Sequence, residues 1–414
     1  MSQGAFSAFD DWLARHEAEL IALRRDVHAH PEMGHREYRT TGLIADRLRA
    51  AGLTPRLLPG GTGVLCDIGM GQPTVALRAD IDALPLADLT DAPYRSTVDG
   101  VCHACGHDVH TAVVIGAALA LCHFSDAARL PGAVRVIFQP AEESTPGGAL
   151  DVVRAGGLDG VRRIFALHCD PHLQVGRVGL RNGPITAASD LVQVRLTGPG
   201  GHTARPQLTA DLVYALGRVI TEVPGLLSRL ADPRSGLSLV WGAVAAGVAP
   251  NTIPQSGVVR GTVRVLDHDA WEGAEKLVRS LVEQVAAPSG VRTEITYNRG
   301  VPPVNNDPAC TALLRQGVLA GLGPDVATDT PQSMGGEDFG WYLDRVAGSF
   351  ARLGVRPVGG RDYDLHQGGF DVDERCVAIG VRLLAHTALA ALELDSLGAA
   401  TQARSDDAAS GTDG

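Results

Sequence analysis

The feature that most constrains this chain is an alternation of short apolar, β-branched runs with helical stretches. The runs are GVLCDIG (63–69), TVALRAD (74–80), AVRVIFQ (133–139) and RIFALH (163–168). Leu13, Leu20, Leu23 and Val27 recur at helical spacing within 8–29, and Pro31 ends that helix. A second helix is expected over 41–50, stopping at Gly52, and an apolar one over 107–122. This order predicts an α/β domain, a mixed, mostly parallel sheet with helices on both faces.

From about Ala188 the pattern changes. Residues 190–198 read as a strand, 209–223 as a helix, 237–247 and 256–266 as strands, 269–286 as a helix and 291–298 as a strand. That βαββαβ order is the ferredoxin-like α+β arrangement, a unit of about 110 residues. Because α/β patterning resumes after Val301, the unit is an insertion. The expected division is 1–187 and 299–399 for the interrupted domain, 188–298 for the insertion, and a small, polar, disordered tail over 400–414.

Bulk properties narrow the function classes. The chain has 414 residues, beyond the ~250–300 at which single cores stop growing. Its net charge of −11, with no block of Lys or Arg, argues against nucleic acid as the main partner. The first residues, MSQGAFSAFDDWLARHEAEL, lack a basic segment followed by an apolar one, so no secretory signal is expected. No uninterrupted apolar run reaches the ~18–20 residues of a membrane span. Seven scattered cysteines do not form a disulfide framework, and a cytoplasmic protein is expected.

Ligands of open α/β sheets gather at the carboxyl ends of the strands. Asp80 and Asp82 end one run, Glu142 and Glu143 follow another, and His168 ends a third. GVCHACGHDVHTA, leading into a helix, adds Cys105, His107, Asp108 and His110. Thiolate, imidazole and carboxylate suit zinc and accommodate manganese, cobalt, iron or nickel. Cys105, His107, Glu143, His168 and His366 are too many donors for one closed tetrahedral site. They suit two divalent ions about 3.5–4 Å apart around a water. Neighbours in an extended segment point oppositely, so Glu143 can ligate while Glu142 faces the water as general base.

Plainer readings stand beside these. Cys102 and Cys105 form a C-x-x-C that alone suggests a redox pair or half a zinc knuckle. Asp80 and Asp82 could equally be a turn and a helix cap, Asp108 could cap its helix, and His28 and His30 could cap or pack. A cysteine hydrolase would use Cys105 with His107 or His110, leaving Glu142, Glu143, His168 and His366 unexplained. A binding protein without turnover would be expected to have lost a ligand or the base.

The ordered series HPEMGHREYRT, ALRADIDALP, HACGHDVHTA, FQPAEES, ALHCDPHLQVGRVGLRNGPITAASD, GPGGHTARP, APNTIPQSGVVRGTVR, GGEDF and LHQGGFDVDE, over residues 20 to 390, resembles one metallohydrolase family. It is similar to the aminoacylase/carboxypeptidase superfamily, in the branch of hippurate hydrolases, N-acyl-amino-acid amidohydrolases and auxin-conjugate hydrolases. The resemblance implies a catalytic α/β domain interrupted by a lid that mediates dimerisation, as a homodimer or a dimer of dimers. It implies two divalent ions, manganese or zinc with cobalt or nickel as alternatives, on Cys105, His107, Glu143, His168 and His366, with Glu142 as base. His202 matches a histidine that stabilises the oxyanion, often across the dimer, and Asn251 a lid residue near the substrate. Gly335, Gly336 and Glu337 lie in a loop that shapes the pocket. The implied reaction is hydrolysis of an N-acyl amino acid, with a dipeptidase or carboxypeptidase as the alternative. Two positions depart from the pattern. Arg78 stands where the wider superfamily's peptidases carry a ligand histidine, which makes Asp80 a supporting residue behind the ligands. Gln-Gly-Gly follows His366 where bulkier residues are common.

Overall fold

The computed structural model describes residues 3–126, 130–361 and 363–410. They fall into two compact units, one formed by 1–183, 306–331 and 341–414, the other by 184–305 and 332–340.

The larger unit is built on an eight-stranded sheet. Its order is Arg56–Leu57, Val64–Gly69, Ala133–Gln139, Pro73–Asp80, Arg163–Gln174, Ala347–Arg356, Val178–Leu180, Ala327–Asp329. The central pairings are parallel: Pro73–Asp80 lies between Ala133–Gln139 and Arg163–Gln174, and Ala347–Arg356 runs beside the latter. The strands around Val64–Gly69 and the contact of Val178–Leu180 with Ala347–Arg356 are antiparallel, so the sheet is mixed. Every residue of Ala133–Gln139 is buried, which explains why it is apolar on both faces apart from Arg135, paired with Asp67, and the terminal Gln139. The helix His107–Asp126 packs into this core through Val109, Val113, Ile115 and Leu121.

Two stretches, His107–Phe124 and Arg375–Leu397, are apolar and long enough to cross a membrane by composition. They are 89% and 72% buried inside the protein, as core helices are. The second belongs to a helix that continues to Ser410, across most of the segment expected to be a disordered tail; 411–414 lie outside the described residues. Its sequence ATQARSDDAAS is rich in alanine, a strong helix former, and prolongs a helix already nucleated.

The smaller unit has a four-stranded antiparallel sheet in the order Ser238–Ala246, Ser256–Val265, Ala188–Thr197, Arg292–Val301. With helices Leu212–Leu230 and His268–Ala286 it has the ferredoxin-like order. Asp211 and Asp267 accept from the backbone N–H groups of Tyr214 and Ala270, which starts the two helices where they begin. Burial alternates along Ala188–Thr197 and Ser256–Val265, the signature of a sheet with one covered face. Residues 332–340, read from sequence as part of the interrupted domain, group with this unit. Ala187 donates its N–H to the carbonyls of Ser333 and Gly335, and Arg264 donates to that of Met334.

Candidate metal centre

Parallel strands in register place their carboxyl ends together. Asp80 lies beside Gln139, so the segments that follow, 81–84 and 140–144, leave the sheet at one edge. His168 comes from the neighbouring Arg163–Gln174, and the helix beginning at His107 starts at the same edge. Gly106 makes that start possible. Its φ is +83°, and a Cβ there would lie 2.7 Å from Cys169 Sγ.

Within this unit the structure brings together Cys105, His107, Glu142, Glu143, His168 and His366. Donor atoms of Cys105, His107 and His168 lie within 4.8 Å of one another, as do those of Cys105, Glu143 and His366, and of His107, Glu142 and Glu143. Cys105 Sγ is 3.4 Å from His168 Nε2, and His366 Nε2 is 3.0 Å from Glu143 Oε1. His366 reaches inward on a loop anchored by its own N–H, which donates to Ala104 O. The first glycine after it is a packing requirement: a Cβ at Gly368 would sit 2.3 Å from Ala87 O. Gly368 O also accepts from Leu89 N.

Both buried histidines have their tautomers set from behind. His107 Nδ1 lies 2.9 Å from Asp82 O and His168 Nδ1 2.8 Å from Cys169 O. A carbonyl only accepts, so each Nδ1 carries a proton and Nε2 is the nitrogen left to face a cation. His107 Nε2 is buried and makes no hydrogen bond.

Electrostatics point the same way. Burial, then Glu143, Glu142 and Asp80, push the Cys105 thiol well above its ordinary range. Burial opposes a charged His107, yet Asp80, Asp82 and Glu143 outweigh it and push it up to about 10. His168 is driven the other way, by burial, His110 and Arg352. The cluster therefore carries more negative charge than it can hold by itself. The donor set fits a divalent cation, which would supply the charge and favour the thiolate.

Asp80 faces this cluster from behind. It accepts from Arg78 Nη1 at 2.6 Å, lies 2.5 Å from His110 Nδ1, and is 3.8 Å from His107 Nε2. Burial alone would raise its carboxyl, but Arg78, His107 and His110 hold it well below the carboxylate range. Arg78 also donates to Gln139, which accepts from the Tyr342 hydroxyl as well.

Sequence reasoning noted Asp82 and His110 without giving them their supporting roles, and passed over Glu37. Asp82 accepts from Glu143 N and steadies His107, and His110 Nε2 accepts from Cys169 N. Glu37 accepts from Ala141 N. Asp108 does not take the plainer role of a helix cap: its carboxylate is buried against Arg24 Nε at 2.7 Å and His28 Nδ1 at 2.8 Å. His28 also lies 3.3 Å from Asp88, so it belongs to a buried ion network.

The remaining expected residues belong to the smaller unit. His202 is exposed on a two-residue strand paired with Thr252–Ile253, next to Asn251. Its Nδ1 accepts from Ala204 N, so Nε2 carries the proton. Asn251 is exposed, and its carbonyl accepts from Thr203 N. Gly336 packs where a Cβ would be 2.9 Å from Ser189 Cβ, and Glu337 is buried and accepts from Phe339 N.

Comparison with known proteins agrees with this geometry. Residues 76–390 match the model of peptidase family M20/M25/M40. A protein of Rhodococcus jostii (strain RHA1) named as a glutamate–cysteine ligase is 51% identical over 370 residues, 89% of this chain and 46% of that protein. The chain thus spans less than half of that relative. An N-acetyl-L-cysteine deacetylase of Bacillus subtilis (strain 168) is 37% identical over 363 residues, 87% of this chain and 85% of the relative. A Bacillus subtilis structure described as a dinuclear metal binding peptidase is 34% identical, with a TM-score of 0.80 over 92% of this chain and 99% of that one.

Proposed function

We propose that this chain, which belongs to peptidase family M20/M25/M40, releases a carboxylic acid and a free amino acid from N-acyl amino acids. The family is one of metal-dependent hydrolases of amide bonds, and the finer reading concerns substrate, ions and residue roles. Its main support is the convergence of Cys105, His107 and His168, with both ring tautomers set to aim Nε2 inward. The 37% identity to an N-acetyl-L-cysteine deacetylase favours a small acyl group.

In this reading Cys105, His107, Glu143, His168 and His366 hold two divalent ions, manganese or zinc, with cobalt or nickel able to replace them. When bound, the ions would polarise the acyl carbonyl and acidify water. Glu142, adjacent to Glu143 and clustered with His107, takes the water proton on its carboxylate and returns it to the leaving nitrogen. Asp82 keeps the proton of His107 on Nδ1, and Asp80, charged by Arg78, stands behind the ring. His202, with its proton on Nε2, is the donor for the oxyanion, and Asn251, Gly336 and Glu337 shape the substrate pocket.

The smaller unit acts as lid and dimerises. The edge strand Ser238–Ala246 exposes Val240 and Val244 at 63% and 59%, a surface suited to pairing with a second copy. All seven cysteines are free thiols, which fits a reducing cytoplasm.

The test is release of amino acid from N-acetyl, N-benzoyl and indole-acetyl amino acids and from simple dipeptides, with and without chelator. N-acyl amino acids are expected to be the best substrates, with turnover abolished by chelation. Preference for dipeptides would make the chain a peptidase, and turnover that survives full chelation would refute the metal assignment.

A further inference from the structure

Glu142 and Glu143 sit in a turn that the chain would not adopt unaided. Ala141, just before them, has φ +55°, a left-handed conformation that a residue with a Cβ keeps only when its surroundings impose it. The turn is closed on itself by Gly148 N, which donates to Ala141 O at 3.0 Å. Its two outer amides are held by carboxylates from elsewhere in the chain. Glu37 Oε1 accepts from Ala141 N at 2.8 Å, and Asp82 Oδ2 accepts from Glu143 N at 3.0 Å.

Glu37 is the first residue before the helix Tyr38–Ala50, the position where a carboxylate ordinarily caps its own helix. It forgoes that role, making no side-chain cap bond, and is fully buried instead. Its Oε2 is buried without a hydrogen bond, beside Asp82. Burial and that neighbour push its carboxyl up to about 7. Leaving a buried carboxylate oxygen unsatisfied is costly, so the group is not there for its own helix. The segment before it follows the same turn: a Cβ at Gly34 would lie 3.1 Å from Ala141 Cα and 2.6 Å from Ser144 Oγ.

We propose that Glu37 is a positioning residue for the reaction: by gripping the Ala141 amide it holds the turn in the form that aims Glu142 and Glu143 into the site. It touches neither substrate nor ion and acts only through the backbone. The inference rests on the roles proposed for those two glutamates, but the grip itself can be read without them.

The experiment compares wild type with Glu37→Ala, Glu37→Gln, Glu37→Asp and the double variant Glu37→Ala/Ala141→Gly. Each is followed by turnover of an N-acetyl amino acid and by backbone hydrogen exchange over 139–148. Displacing reacting groups by about 1 Å costs up to ~100-fold, so Glu37→Ala should lower kcat by about 10- to 100-fold with KM nearly unchanged. Exchange over 139–148 should rise at least ~10-fold as the Ala141 amide is freed. Glu37→Gln keeps an acceptor at Oε1 and should stay within about threefold of wild type in both readouts. Glu37→Asp withdraws the acceptor by one methylene and should lose activity as Glu37→Ala does, which keeps the test open if the alanine variant does not fold. In the double variant glycine adopts the positive φ freely, so much of kcat should return. A residue that merely stabilised the fold would not be rescued by adding a glycine. Unchanged exchange over 139–148 in Glu37→Ala and Glu37→Asp, or no recovery in the double variant, would overturn the proposal. If wild type cleaves no N-acyl amino acid, the hydrolase reading fails while the exchange data still decide the grip.

Discussion

Replacing Gly106 by alanine puts a methyl group where the fold has no room for one. The new Cβ would lie 2.7 Å from Cys169 Sγ and 2.8 Å from Cys169 Cβ. Ordinary contacts are about 3.5–4.0 Å, so one side must retreat by roughly 1 Å. The backbone adds its own penalty, because φ is +83° and a left-handed residue bearing a Cβ costs about 1–2 kcal/mol. Overpacking a tight core costs about 1–3 kcal/mol. Together these predict a loss of about 2–5 kcal/mol, a large share of the ~5–15 kcal/mol typical of a folded protein. Gly106 stands between Cys105 and His107, so the same shift misplaces two proposed ligands, and activity should fall by about 100-fold. Urea unfolding followed by fluorescence measures the first effect, and zinc affinity with turnover measures the second. Adding Cys169→Gly removes both clashing atoms and should recover the packing part, leaving the backbone part. Wild-type stability and zinc affinity in Gly106→Ala would refute this account of the helix start.

Further predictions follow from other parts of the structure. Glu142→Gln should keep its metal, measured by elemental analysis, and lose about 10²- to 10⁴-fold in kcat, the range of a general base. Asp108→Asn leaves Arg24, itself fully buried, without its closest counter-charge, and should cost about 3–5 kcal/mol in urea unfolding. His28 is buried, which disfavours its charge, but Asp108 and Asp88 raise it from 6.5 to about 9. Because the folded value lies above the unfolded one, its contribution is complete below about pH 6.5 and is lost as pH rises through about 9. Relative to His28→Gln, wild type should lose roughly 3 kcal/mol of advantage between those limits, and a pH-independent difference would contradict the assignment. Val240→Lys with Val244→Lys on the exposed edge strand should convert the proposed dimer to a monomer in sedimentation, because two charges would then line that edge.

Much of the fold was legible because its signals are local. Ala133–Gln139 shows itself by apolar residues at both odd and even positions, since both of its faces are buried. The ferredoxin-like unit shows itself by period: one sheet face is wet, so its strands alternate, and its helices are amphipathic. Four strands of the large sheet escaped, among them the two-residue Arg56–Leu57. Val178–Leu180 and Ala327–Asp329 are three residues long, too short to display a period. Ala347–Arg356 carries Ser349 and Arg352 inside a buried strand, where Ser349 is satisfied by Thr311 and Arg352 stacks over Phe350. In 400–410 alanine reads as small when counted and as helical when it continues a helix.

The site divides along the same line. Cys105 and His107, Glu142 and Glu143 are adjacent or nearly so, and their residue types announce a metal centre wherever a strand ends beside them. What sequence could not show is support from far along the chain. Glu37 reaches Ala141 across 104 positions and Asp82 reaches Glu143 across 61, and neither carboxylate differs in sequence from a helix cap. Asp108 erred the other way: its place in the first turn suggested a cap, and only the burial of Arg24 and His28 against it shows the ion network.

The most direct test of the central claim is a titration of metal-free protein with zinc or manganese, in which bound metal and release of amino acid from an N-acetyl substrate are followed in the same sample. The account predicts about two ions per chain, with turnover appearing as they bind. Full turnover in the metal-free protein, or saturation of the site without turnover of any N-acyl amino acid, would contradict it.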